Sequence, residues 1–246
     1  MKHFFFVMLL SSVAVTSHAH AQDATQPART PAPATAPASA FDAELDAIDR
    51  KALAHQDLTA DFVQEKHSPL LRKPLVSRGT VMAKGPLTLW VTAEPEPSRM
   101  SIDSRWVRLY YPKQKVVEEY PVDGRLGAMA SSPLPALQDI RKNFTLSPDA
   151  GAGLDPVEPA GNTRALRLEP VEALRPYVGF VRVLLDADRG LVLAFEVTDP
   201  DGERTLVRFS NLQPDRGLSD DALMLDTPAG TKVVRPVGDA MPAPQQ

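Results

Sequence analysis

The sequence predicts a mainly β protein with some α: an incomplete antiparallel barrel, in effect one strongly curved sheet of about ten or eleven strands with helices over its open side. Three observations point there. From Leu58 onward, short segments rich in Val, Leu, Trp, Tyr and Thr alternate apolar and polar positions and are bounded by Pro, Gly, Ser or Asp, which is the period of half-buried strands. Two helical patterns interrupt that period, one before the first strand and one midway. The stretch that can fold is about 200 residues, enough for one domain with a substantial core and too little for a second large one.

The chain opens with a leader. Lys2 and His3 give a basic start, Phe4 to Val15 form an apolar run too short to span a bilayer, and Ala19-His-Ala21 is a small-residue cleavage site, so residues 1–21 are expected to be a secretory signal peptide and the mature chain to start at Gln22. No later apolar run is long enough to anchor the chain in a membrane. With no Cys in 246 residues, there is no disulfide, no thiolate nucleophile and no site for a lipoprotein's own lipid anchor. The expectation is a soluble, monomeric protein of the periplasm. Residues 22–38 alternate small residues with Pro and read as a disordered or polyproline-like tether; the domain then covers 39–238, and 239–246 form a flexible tail.

Ser39 followed by Asp42 resembles a capping box, and Phe41, Leu45, Ile48 and Ala52 fall on one side of the helix that it would start. Acids Asp42, Glu44, Asp46 and Asp49 stand toward the positive end of that helix, and Arg50, Lys51 and His55 toward its negative end. Strands are expected at 58–66, 78–84, 87–93, 99–103, 105–111 and 115–120. A second set is expected at 164–169, 178–185, 191–198 and 204–210, with a last strand at 232–235. Asp186 to Gly190 and Asp199 to Glu203 supply hairpin turns. Between the sets, Ser132-Pro133 has the order of an N-cap and a first-turn proline, and Leu134, Leu137, Ile140 and Phe144 give an apolar stripe, so a helix is expected over 133–143.

Catalytic chemistry is hard to place. Three of the five His lie in the leader, leaving His55 and His67, too few for a zinc site without Cys. No Gly-x-Ser-x-Gly elbow or α/β alternation supports a hydrolytic triad. The acids around Asp186 and Asp199 do not continue to the distant Glu that closes a calcium loop, and Gly151-Ala-Gly153 lacks the Lys-Ser/Thr of a phosphate loop. No enzyme activity, metal or cofactor is therefore expected. Formal net charge is −4, and loss of the leader's single Lys makes it one unit more negative, which disfavours nucleic acid.

What stands out is apolar character without catalytic groups. Phe62, Met100, Ile102, Val107, Leu109, Phe195, Val207 and Phe209 alternate as candidates for one face of the sheet, whereas Arg99, Arg108, Glu118 and Arg208 mark wet faces or strand edges. Periodicity does not separate a filled interior from a hollow one. On β-strand 87–93 it leaves the parity open, because Leu87, Leu89 and Val91 oppose Thr88, Trp90 and Thr92 with similar apolarity.

The runs Leu58-Thr-Ala-Asp-Phe-Val-Gln64, Gly79-Thr-Val-Met-Ala-Lys-Gly-Pro86, Leu89-Trp90, Asp103, Leu109-Tyr-Tyr-Pro112 and Leu223-Met-Leu-Asp-Thr-Pro228-Ala-Gly230 resemble, in order and spacing from about Phe41 to Val234, the periplasmic outer-membrane lipoprotein carriers of the LolA family. The resemblance implies a half-open barrel whose concave face is an apolar cavity lidded by helices. It implies acylated lipoprotein cargo taken from an inner-membrane ATP-driven release transporter and handed to an outer-membrane lipoprotein receptor. It places Phe62 and Trp90 in the cavity lining, and Leu134, Leu137 and Ile140 on the mid-chain lid. Where those carriers have a latch Arg before the Pro of the second motif, this chain has Gly85, so the lid is expected to be held mainly by apolar contacts. That change, the tether and the extra residues Pro69 to Ser77 suggest a divergent relative whose cargo is a glycolipid or another acylated lipid. The alternative is a periplasmic scaffold or sensing module that uses the same fold to bind proteins.

Because the tether has almost no large apolar side chain to bury, deletion of residues 22–38 should leave the thermal unfolding midpoint within a few degrees of the parent, measured by circular dichroism.

Overall fold

The computed structural model describes residues 39–122 and 137–236; the expected signal peptide, tether and tail, and Leu134 of the expected lid, lie outside the described residues. Helix α1 (Ala40–Ala54) begins as the sequence indicates: the Ser39 side chain accepts a hydrogen bond from the Asp42 N–H at 3.1 Å, satisfying one of the first-turn donors. Twelve strands follow: β1 (Asp57–His67), β2 (Leu75–Lys84), β3 (Leu87–Glu94), β4 (Ser98–Ile102), β5 (Trp106–Tyr111), β6 (Val116–Pro121), β7 (Phe144–Pro148), β8 (Thr163–Pro170), β9 (Phe180–Asp186), β10 (Leu191–Thr198), β11 (Arg204–Pro214) and β12 (Lys232–Val234). A one-turn helix α2 (Leu137–Ile140) precedes β7.

All twelve strands form one sheet in the order β12-β6-β5-β4-β3-β2-β1-β11-β10-β9-β8-β7. It is strongly curved and does not close, the open-barrel architecture expected from the sequence. Two antiparallel meanders, β1 to β6 and β7 to β11, are joined where β1 pairs with β11. The hairpins β9–β10 and β10–β11 turn where anticipated. Asp186 Oδ1 accepts the N–H groups of Asp188 and Arg189, both at 3.0 Å, and Asp199 Oδ1 accepts those of Asp201 and Glu203 at 3.0 and 2.9 Å. These carboxylates are engaged by their own turns, as Asx turns require.

Four expectations need correction. The helix expected over 133–143 is a single turn in its described part, and Phe144, which continued its apolar stripe, is the first residue of β7, a strand that the sequence pattern hid. Strand β2 starts at Leu75, inside the stretch taken as extra connection, because Lys66 and Leu75 extend the β1–β2 ladder. Strand β12 lies parallel to β6, since the chain leaves β11, crosses behind β2 and β3 through a short 3-10 turn at Asp220–Leu223, and reaches the edge running the same way as β6. Finally, Asp49, read with the acids toward the positive end of the first helix, stands in the second half of α1 and is buried, 2% exposed.

Helix α1 buries Leu45, Ile48 and Ala52 and passes over the β9–β10 turn at very short range. A Cβ on Gly190 would stand 2.4 Å from the Ala52 backbone N and 2.9 Å from the Ile48 carbonyl oxygen. Lys51 Nζ donates to the Ala187 carbonyl at 2.6 Å, and the ring nitrogens of His55 lie 2.8 Å from Asp215 Oδ2 and 3.0 Å from the Arg189 carbonyl oxygen. The far end is tied by the Arg164–Glu44 ion pair. Gly190 also has φ +74°, so it is needed both for its backbone and for its missing side chain. Gly190→Ala should therefore lower stability by about 3 kcal/mol, the sum expected from overpacking and a left-handed Ala. Gly85→Ala, which has φ +52° but open space around its Cβ position, should cost about 1 kcal/mol. Urea unfolding of the two variants checks the difference.

Candidate functional site

Directly opposed residues in an antiparallel ladder share a face, and so do residues two apart on one strand. Phe62 opposes Phe209; Phe195 opposes both Val207 and Val183; Trp90 opposes Met100, which opposes Leu109; Ile102 opposes Val107. Val81 opposes Ala60 on one side and Trp90 on the other, which links the two groups across β2. All nine residues singled out in the sequence thus share one face of the sheet. The open parity of β3 resolves with Thr88 and Trp90 on that face and Leu87, Leu89 and Val91 on the other.

The face is built around aromatic rings. Phe62 and Trp90 meet edge to face with centroids 4.8 Å apart, Trp90 and Phe209 lie at 5.8 Å, and Phe209 and Phe195 at 6.0 Å. Six of the nine (Phe62, Trp90, Ile102, Leu109, Val207, Phe209) are buried, while Met100, Val107 and Phe195 are half-buried. Phe62, Trp90, Val207 and Phe209 belong to one continuous apolar cluster with Leu45 and Ile48 of α1 and Leu137 of α2, against which Met100, Ile140 and Phe195 pack. The helices therefore cover this face, and the rings are buried in the same cluster as their apolar residues.

Beside the apolar contacts expected to hold it, α2 is tied to α1 by hydrogen bonds that the sequence reading did not foresee. Leu137 is 3% exposed, but its N–H also donates to Asp49 Oδ1 of α1 at 2.9 Å in a buried hydrogen bond. Arg141 Nη1 donates to Asp46 Oδ1 at 2.8 Å, with Asp42 Oδ1 at 3.6 Å from Nη2. Of the four acids read as serving the helix dipole of α1, Asp49 reaches α2 itself, and Asp42 and Asp46 reach the Arg141 that follows it. Asp49 Oδ2 has no hydrogen-bond partner among the described residues, so Asp49 carries a desolvation cost that its one bond to α2 offsets in part. Gly85 stands in the β2–β3 turn with nothing within 4 Å of its Cβ position.

One polar group departs from the expected wet face. Glu118 opposes Leu109 and so shares the inner face with it. The Tyr120 and Tyr111 hydroxyls lie 2.9 and 3.3 Å from Glu118 Oε2, on which both donate. Tyrosines two and seven residues away on the same or the neighbouring strand are a local signal, visible once the parity is known. Arg108 and Arg208 lie on the opposite face, paired with Asp103 and Glu119 and with Glu65. His67 stands 3.3 Å from Glu65.

An open, curved, mainly antiparallel sheet with an apolar inner wall and two helices laid over it is the architecture of the open-barrel carrier fold. The family described as outer membrane lipoprotein carrier protein LolA matches residues 54–224, and the chain belongs to that family. A protein of Dechloromonas aromatica (strain RCB) named outer-membrane lipoprotein carrier protein is 29% identical over 183 residues, covering 72% of this chain and 80% of the relative. One of the same name from Bordetella avium (strain 197N) is 27% identical, covering 73% and 81%. Among solved structures, an uncharacterized conserved protein from Thermus thermophilus shares the fold with a TM-score of 0.51 at 14% identity, over 80% of this chain and 99% of the other.

Burial, and then Glu118 beside it, push the Tyr120 phenol up to about 12 from 10.0, and burial foremost raises Tyr111 further. A phenol with a raised folded pKa contributes stability in full below pH 10.0, and that contribution falls as pH rises from about 10 to about 12. Tyr111 and Tyr120 should therefore develop phenolate absorbance late. Glu118→Gln should bring both titrations to lower pH, since it removes the charge and leaves the burial.

Proposed function

We propose that this protein is a soluble periplasmic carrier that shelters the acyl chains of a lipoprotein, or of a related acylated lipid, against the inner face of its open sheet. The observation that carries the reading is the unbroken apolar wall from Phe195 through Phe209 and Phe62 to Trp90, Met100 and Leu109, roofed by two helices rather than by backbone pairing. Family membership supports it. Among the described residues no helix is long and apolar enough to cross a membrane. On this reading the cargo comes from an ATP-driven release transporter in the inner membrane and passes to a receptor at the outer membrane, with no chemical step on the way.

Each methylene kept from water contributes about 0.8 kcal/mol, so one acyl chain is held loosely and several chains need a sheltered wall. Because Phe62, Trp90 and Phe209 are buried in one cluster with residues of α1 and α2, cargo reaches the wall by moving α2 away. Leu137 and Ile140 are then the movable roof, and the Asp49 and Arg141 bonds replace the latch that Gly85 lacks. The same burial of the wall under the helices favours a second reading, a protein-binding scaffold whose core admits no ligand.

A fluorescent fatty acid separates the two readings. The parent should bind it. Phe195→Glu and Met100→Glu, which alter half-buried positions, should weaken binding by at least about tenfold, because a carboxylate on an apolar wall is costly to desolvate. Arg208→Glu on the far face should leave binding near that of the parent. Asp49→Ala, which removes a charged acceptor from the Leu137 N–H, should speed probe dissociation by about tenfold. No uptake by a folded parent supports the scaffold; uptake unchanged in both wall variants removes this face from the site.

A further inference from the structure

We propose that the tip of the β1–β2 hairpin docks this protein on a phospholipid bilayer, inserting Leu70 and Leu71 into the headgroup region while Arg72 and Lys73 engage lipid phosphates. The inference goes beyond the carrier reading and does not depend on it. Nine large apolar side chains are exposed among the described residues, and four of them, Leu70, Leu71, Leu75 and Val76, fall in this hairpin, Leu70 being 87% exposed. Such clustering marks an interaction site, whereas scattered single residues do not.

The ladder explains why the tip stays bare. The β2–β3 pairing ends at Arg78 opposite Glu94, the β1–β11 pairing ends at His67 opposite Arg204, and the hairpin's own ladder ends at Lys66 opposite Leu75. Residues 68–74 stand beyond the last rung of all three. They are not slack: Ser68 is 9% exposed, its carbonyl accepts the Leu71 N–H at 3.0 Å and its hydroxyl the Leu70 N–H at 3.3 Å, and Pro69 and Pro74 frame the turn with fixed φ. Two leucines are thus presented on a braced projection at little ordering cost.

Charge favours a bilayer. Arg72, Lys73 and Arg78 are exposed and make no ion pair among the described residues, whereas Lys66 is paired with Glu203 and Glu65 with Arg208. The adjoining β10–β11 turn brings Asp199 and Asp201, so attraction to anionic lipid comes from the tip itself. Leucines leading and cations just behind is the order an interfacial segment needs, with apolar groups entering about 5–10 Å and cations left at the phosphates. A protein partner generally needs a far broader patch than one seven-residue turn supplies.

Co-sedimentation of the purified protein with vesicles of phosphatidylethanolamine and phosphatidylglycerol tests the proposal. The parent should bind reversibly. Leu70→Ser combined with Leu71→Ser should lower the partition coefficient by about tenfold or more, and Arg72→Gln combined with Lys73→Gln should remove the preference over phosphatidylcholine vesicles. Leu53→Ser, at an exposed leucine of α1, should change nothing, and a tryptophan placed at Leu70 should blue-shift on vesicle addition. All these positions are exposed, so the thermal midpoint stays with the parent and loss of binding cannot be loss of fold. Failure of the parent to bind such vesicles, or equal binding by the leucine pair variant, overturns the proposal. Tip-dependent binding to a membrane protein without vesicle binding overturns it in favour of a protein partner.

Discussion

The pairing of β1 with β11 is the constraint on which the rest of the structure depends. Each strand is eleven residues long, and their partners stand far apart in the chain, as the Arg208–Glu65 ion pair across 143 residues illustrates. That ladder turns two separate meanders into one wall, and its register sets Phe62 opposite Phe209. A shift of one residue would send every inward ring outward. The register is defended at one end by a bulge at Asn211, whose φ of 50° takes up an extra residue on β11. Beside it, Asp57 is buried and accepts the N–H groups of Arg216 and Leu218 at 2.7 and 2.9 Å, pinning the chain as it leaves β11.

With the wall fixed, the helices have one seat. Gly190 lets the α1 backbone lie against the β9–β10 turn, and the buried Asp49 and the half-buried Asp46 of α1 reach α2 and the Arg141 that follows it. The roof of the inner face is therefore tied polar to polar, while its contact with the wall is apolar. These two kinds of contact respond differently to water: apolar contact falls with area, but the Asp49 bond is made or lost as a unit.

The strands were legible because one face is buried and the other wet, which prints a period of two into the sequence, and the two Asx turns announced their hairpins through Asp and Gly at fixed offsets. Phe62 was legible on the same ground together with the family resemblance, whereas Trp90 was placed by the resemblance alone, since periodicity left the parity of its strand open. What the sequence concealed was non-local. Asp49 reads as a helix-dipole residue until α2, 88 residues on, comes to lie beside it. Phe144 continues the i, i+3, i+4 stripe of Leu137 and Ile140, so a one-turn helix followed by a strand has the signature of a longer helix. Glu118 looked solvated because a charge on an apolar face is unexpected until the tyrosines that donate to it are placed.

The two ends of the sheet carry a consequence of their own. A sheet that curves without closing has two free edges, each a row of unpaired N–H and C=O groups and each a template for another chain. At one edge stands β12, three residues long; at the other stands β7, five residues long and ending on Pro148. A second copy that tried to extend the sheet at either side would gain a handful of backbone hydrogen bonds and then run out of strand. An open architecture of this kind can leave its seam unsealed and still resist growing into a ribbon.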